Sequence, residues 1–334
     1  MREQLWDAAR GIGILLVVYG HVLRGLVKAG LVPADSPLVF SDYAIYTFHM
    51  PLFFLLAGIN AARGMSRENF ITSKIPTIVY PYFLWTFLQA GMQMAVGGAN
   101  APVSAPDLLS ILWAPVFQFW FLSAIFVCHL LARLFSAEPL RLALFSLAAY
   151  PAGIYLVTAL PVLANPFSML IFYVAGIYMA PHLKGVVVRL SNGAGVATTM
   201  LALGIAIYVA YHMGGYRAPS SVCAAFLGIL LVLQLSQLQA GSSLARVFEL
   251  LGLASMPIFL AHVFATAGAR ILLVKLNVTS VPLHLAGGML AGVVAPLALF
   301  YVVYRLRQER LFGFSSGAAV FAPAPASAAA VARV

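Results

Sequence analysis

LWDAARGIGILLVVYGH, residues 5–21, has the apolar character of a membrane helix, yet an aspartate, an arginine and a histidine are set into it. Ionisable side chains at membrane depth are costly, so each marks a functional-site hypothesis, and a histidine cannot easily snorkel out from there. Arg10 and His21 are eleven residues apart, which at ~100° per residue puts them about 20° apart around a helix and roughly 16 Å apart along it. Asp7, Val17, Arg24 and Lys28 fall near the same line, Gly13 and Gly20 flank it, and Tyr19 points away. The stretch therefore predicts a first span carrying one polar stripe along its length. Arg24 and Lys28 are read as snorkelling to the outer headgroups. Gly13 and Gly20 are read as allowing close helix packing rather than making room for a substrate.

The rest of the chain fits a membrane protein. Of its 334 residues, 63% are hydrophobic and 8% charged, with a mean hydropathy of +0.98, whereas a soluble domain carries about a quarter charged residues. Composition thus predicts an all-α, polytopic helical bundle with no sizeable soluble domain. Apolar runs place about ten transmembrane helices near 10–28, 42–61, 75–95, 111–133, 141–160, 166–181, 194–212, 219–238, 250–272 and 284–304. Turn-forming breaks separate them, among them KAGLVPADSP, GGANAPVSAPD and HMGGYRAPS. The domain reading is a membrane domain over 1–312 and an Ala/Pro-rich cytoplasmic tail over 313–334, expected to be disordered. The first span lacks a following small-residue cleavage site and is expected to stay in the mature protein.

The net charge of +10 is read as membrane topology, with no nucleic-acid partner. Only Arg24, Lys28, Arg217, Arg270 and Lys275 fall on one side of the expected spans, and the other fourteen lysines and arginines fall opposite. By the positive-inside rule both termini are cytoplasmic. Cys128 and Cys223 lie in apolar runs without redox or metal spacing and are read as buried thiols.

Two further expected spans carry histidines. In SDYAIYTFHMPLFFLLAGIN, residues 41–60, Asp42, Tyr46, His49, Phe53 and Asn60 fall near one helical line, and Pro51 predicts a kink beside His49. His49, entering from outside, reaches a depth comparable to that of His21, so the two imidazoles can face one cavity. In the ninth span Ser255, His262 and Thr266 share a face near Pro257. For His262 a hydrogen bond to a neighbouring helix and a catalytic role stand side by side. His182, His212 and His284 sit at span ends and are read as interfacial, and His129 is given no role. No histidine pair has metal-site spacing with carboxylates, so no metal is expected.

At this point the residues resemble a family. WDAARGIGILLVVYGH looks like the opening of the membrane-bound acyltransferase family 3, marked by an arginine, ten residues and a histidine, here Arg10 and His21. FHMPLFFLLAGI resembles that family's second helix, closest to its fucose 4-O-acetylase-like, polysaccharide O-acetyltransferase branch. VYPYFLW from Val79, FWFLSAIF from Phe119 and MPIFLAHVF from Met256 resemble its later landmarks in order. Where members carry arginines before the third-helix proline, this chain has only Lys74, so the donor's phosphates fall to Arg63, Arg67, Lys74 or Arg10.

The resemblance implies a multi-pass enzyme of the bacterial inner membrane. It would move an acyl group, usually acetyl from cytoplasmic acetyl-CoA, to a hydroxyl of an envelope or exported carbohydrate. Acyl transfer from a thioester needs a base whose pKa is near working pH, which suits histidine. On this reading His21 is the base or, second, an acyl carrier; Arg10 orients the donor and Asp7 orients Arg10; and His49 stabilises the oxyanion or holds the acceptor. Asp42, Asn60 and His262 are supporting residues. Trp120 and Tyr46 line the sugar site, with an interfacial anchor as an equal account of Trp120. The alternative class is a transporter or flippase of sugars or small amphiphiles, which would also use intramembrane histidines and proline-broken helices. The acceptor's identity and the oligomeric state stay open.

Overall fold

The computed structural model describes residues 4–96, 109–215, 218–315 and 317–321, and among these the regular structure is helical, with no strand. In chain order the helices are α1 (Gln4–Lys28), α2 (Pro37–Tyr46), α3 (His49–Ala62), α4 (Tyr80–Val96), α5 (Trp120–Leu134), α6 (Pro139–Tyr155) and α7 (Pro161–Met179). They continue as α8 (Leu183–Leu190), α9 (Gly193–His212), α10 (Ser221–Leu238), α11 (Ser243–Leu253), α12 (Ser255–Lys275) and α13 (Val281–Arg305), with one-turn helices at Glu309–Phe312 and Ala318–Phe321.

Among the described residues eight stretches are long and apolar enough to cross a membrane: α1, α2 with α3, 110–134, α7, α9, α10, α12 and α13. The other two expected spans form the 17-residue helices α4 and α6, and a π-helical turn at Ile75–Val79 leads directly into α4. Large apolar side chains such as Leu201 and Leu290 face outward, as the hydrocarbon of a bilayer requires. The chain is thus the all-α polytopic bundle that its composition predicts.

Helix α1 lies inside the bundle, burying residues all around its axis: Trp6, Ile14, Val18, Leu23 and Leu26. Glycines set its closest crossings. A Cβ on Gly11 would lie 2.0 Å from the Phe248 carbonyl oxygen, and one on Gly252 would lie 1.8 Å from that of Asp7, so α1 and α11 meet backbone to backbone. Near the middle of α1, Gly292 of α13 meets Val18, and Gly288 meets Val22. These contacts run α13 antiparallel to α1, and Gly292 also meets Thr266 of α12, the helix that carries His262 beside His21.

The second span is two helices. Ser36 caps α2, accepting from Leu38 N at 3.4 Å, and Pro37 opens it. The helix then breaks at Thr47–Phe48, just ahead of His49, because Pro51 has no N–H to continue the ladder. The ninth span is expected from 250 but starts at Ser255, since Ala254 ends α11 and Pro257 sits in the first turn of α12.

Two expectations change. The tail does not loosen at Gly313: Phe314 is buried, its ring stacks on Trp85 at 5.8 Å, and Phe321 packs on Phe300 at 5.1 Å. Aromatic side chains within an Ala/Pro-rich stretch give it an apolar surface to bury, so the packed chain reaches Phe321, and 322–334 lie outside the described residues. Cys128 is buried, but Cys223 is exposed on the outer surface of α10. The break GGANAPVSAPD also lies outside the described residues, as does part of HMGGYRAPS. The turn KAGLVPADSP is formed, with Gly30 at φ 71°.

Candidate active site

A cavity of about 530 Å³ opens between α1, α2–α3, α4, α12 and α13, within the size range of small-molecule sites. His21, His49, Tyr46 and Trp120 all line it. The imidazole of His21 is half-buried, and its ring meets that of His262 edge-on, with centroids 4.9 Å apart and planes at 72°. His262 is fully buried; its Nδ1 donates to the carbonyls of Phe259 at 2.8 Å and Ile258 at 3.0 Å, and its Nε2 has no partner. The next helix thus braces one face of His21.

His49 Nδ1 donates to the Ile45 carbonyl at 2.9 Å. A carbonyl only accepts, so this bond fixes the proton on Nδ1 and leaves a lone pair on Nε2. In that tautomer His49 accepts from a hydroxyl; it has no second N–H to give an oxyanion.

Arg24 departs from its expected outward course. Its Nε and Nη2 donate to the two Asp42 carboxylate oxygens at 2.8 and 3.0 Å, and its Cζ lies 4.1 Å over the Tyr46 ring. A planar carboxylate within reach outcompetes the headgroups, because the bidentate pair satisfies both groups at once. Tyr46 in turn meets the His49 ring at 4.9 Å. Gly20 leaves room for this arrangement, since a Cβ there would sit 2.8 Å from Asp42 Oδ1. That close approach, rather than helix packing alone, is what the glycine serves.

The other end of the α1 stripe is separate. Arg10 pairs with Asp7, their side chains 18% and 7% exposed. Glu249 on α11 has its carboxyl pushed up by burial and by the Asp7 charge, against the pull of Arg246. Between this end and the cavity, Leu52 and Phe53 close over Gly13, and the rings of Phe53, Phe121 and Phe259 follow one another at 5.9 and 5.3 Å. The stripe is therefore one line on the helix but two environments in the fold, and the cavity lining includes Val17 and His21 but not Arg10. Arg63 and Arg67 are exposed beyond α3. Lys74 lies half-buried with Nζ 4.9 Å from the Phe70 ring centroid, and desolvation lowers its ammonium pKa.

Asn60 is a correction. It is exposed and lies off the cavity, because the break at Thr47–Phe48 re-aims α3 and the straight line from Asp42 does not survive it. His284, expected at the interface, is 2% exposed and lines the cavity. The sequence reading also passed over Gln89, Gln93 and Gln118, which line the cavity, with Gln118 Nε2 donating to Gln89 Oε1 at 2.8 Å. Their signal was present, since amides within apolar spans need partners. Lys28, Thr266 and Arg270 complete the polar lining. Among the described residues no group of three histidine, cysteine or carboxylate side chains is gathered to hold a metal ion. The arrangement can hold a polyhydroxylated ligand against an imidazole and accept a proton from it.

A family model described as an acyltransferase domain matches residues 4–304. The chain is similar to a protein called nodulation protein NolL from Sinorhizobium fredii, 31% identical over 141 residues, covering 41% of this chain and 37% of that protein. It is similar also to nodulation protein NolL from Mesorhizobium japonicum, 28% identical over 137 residues, covering 40% of this chain and 35% of the relative. The chain thus spans little more than a third of the length of these curated relatives. No solved structure matches it.

Proposed function

Because the chain belongs to the acyltransferase family whose model spans residues 4–304, we propose that it is a membrane O-acyltransferase, moving an acetyl or similar acyl group from cytoplasmic acyl-CoA to a hydroxyl of an envelope or exported carbohydrate in a bacterial inner membrane. The observation that carries this is the pairing of His21 and His49 in one cavity with Trp120 and three glutamines, a lining suited to a sugar.

In the proposed reaction the His49 Nε2 lone pair holds a neighbouring hydroxyl of the acceptor sugar, and the reacting hydroxyl gives its proton to His21. Its oxygen attacks the thioester carbonyl, and the C–S bond breaks. The imidazolium then returns its proton to the leaving thiolate, so the products are the ester and free CoA. Among general bases, histidine loses and regains a proton near neutral pH most readily. Arg10, held by Asp7, with Arg63, Arg67 and Lys74 beyond α3, supplies cations for the donor's phosphates at the cytoplasmic end. No metal enters this scheme.

A transporter of sugars would share the broken helices and the cavity, but acyl-CoA would have no use there. Purified protein in lipid nanodiscs, given radiolabelled acetyl-CoA and a panel of glycans, separates the two. Label on a glycan supports the acyltransferase; sugar flux in vesicles without label transfer overturns it.

A further inference from the structure

Beyond His21 the cavity is lined by cations. Lys28 and Arg270 are in its lining, and among the described residues no aspartate or glutamate is. Arg24 is also in the lining, but its charge is met by Asp42. Arg270 is only partly exposed and donates through Nη1 to the Gly25 carbonyl at 2.6 Å, an uncharged partner that fixes the guanidinium without neutralising it.

Beside these cations lie groups suited to hydroxyls. His284 is 2% exposed, and its Nε2 donates to the Val278 carbonyl at 2.8 Å. Its Nδ1 is a buried lone pair with no partner, as is the Gln93 Oε1. Acceptors left unmet in a native cavity are costly and are expected to be met by a ligand or water. The lining thus offers acceptors for hydroxyls together with two cations that no carboxylate among the described residues meets. Gly25, on which Arg270 rests, and Lys28 are four and seven residues beyond His21, so the cations stand roughly 6–10 Å along α1 from the imidazole.

We propose that Lys28 and Arg270 form a binding site for an anionic group on the acceptor, about one sugar unit from the hydroxyl that is acylated. The substrate class is then an acidic or phosphorylated carbohydrate rather than a neutral one. This rests on the acyltransferase reading for the identity of the ligand as acceptor, while the site itself is tested by binding alone.

The experiment measures binding to the full chain in phosphatidylcholine nanodiscs of three probes: methyl glucoside, methyl glucuronide and glucose 1-phosphate. The charged sugars are expected to bind at least about tenfold more tightly than the neutral one, and the stronger of the two identifies the anion as carboxylate or phosphate. Lys28→Gln, a change at an exposed position, and Arg270→Gln should each remove most of that advantage while leaving the glucoside unaffected; Arg270→Lys should restore part of it if the charge rather than the fold was lost. Equal binding of all three sugars, or an advantage that survives both substitutions, overturns the proposal. So does displacement of glucose 1-phosphate by coenzyme A in the wild type but not in Lys28→Gln, which would give these cations to the donor. Selective binding of charged sugars without acyl transfer to any glycan would leave the anion site standing and sink the acyltransferase instead.

Discussion

Replacing Gly20 by alanine tests the Arg24–Asp42 clamp beside the cavity that His21 and His49 line. The new Cβ would lie 2.8 Å from Asp42 Oδ1 and 3.4 Å from the Arg24 guanidinium, so the carboxylate must move and the two-bond pairing drops to one. Losing one charge-assisted bond costs about 1.5–3 kcal/mol, and because the Arg24 side chain is 33% exposed the low end applies. Alanine in place of helical glycine returns about 0.5–1 kcal/mol. The net is a destabilisation of about 0.5–1 kcal/mol, a fall in Tm of roughly 1 °C for a chain this size. The assay is thermal unfolding of the purified protein in detergent, repeated in an Asp42→Ala background. There the clash is gone and only the helical gain remains, so the same substitution should raise Tm by about the same amount. An unchanged or higher Tm for Gly20→Ala alone, or no reversal of sign in the Asp42→Ala background, would refute the packing of Asp42 against Gly20.

Arg10→Gln should raise the KM for acyl-CoA at least about tenfold with a smaller change for the acceptor, and an unchanged donor KM would remove Arg10 from that role. Glu249→Gln should raise Tm at pH 7: the folded-state pKa of this carboxyl is raised, so its ionisation subtracts stability as pH climbs through the ordinary value near ~4.3 and above. Below about pH 4 the gain should vanish, and a gain independent of pH would point to packing instead. Phe314→Ala removes a ring that is buried against Trp85 and Phe300 and should cost about 3 kcal/mol; a Tm equal to the wild type would mean that the segment after Gly313 is not docked.

Much of the fold is legible in the residues. A single helical period puts Asp7, Arg10 and His21 on one stripe, and apolar runs locate the spans with ends up to six residues off. What periodicity misses is where a helix changes direction. Asn60 looked aligned with Asp42 because the arithmetic assumed a straight helix through Thr47–Phe48, and Pro51 breaks it. Arg24 was assigned to the headgroups because its partner, Asp42, lies eighteen positions away on another helix. The division of the stripe by Leu52 and Phe53 was equally out of reach, being a matter of which helix packs over Gly13. His284, read as interfacial from its place at a span end, and the three glutamines lie outside the motifs, where only tertiary packing shows what a polar residue faces.

In the proposed reaction proton transfer at His21 drives acylation in the cavity it shares with His49. Its most direct test is His21→Ala, expressed to wild-type membrane levels and assayed for transfer of labelled acetyl from acetyl-CoA to glycan. A general base contributes about 10²–10⁴-fold, so transfer should fall at least a hundredfold; transfer at the wild-type rate would contradict the account.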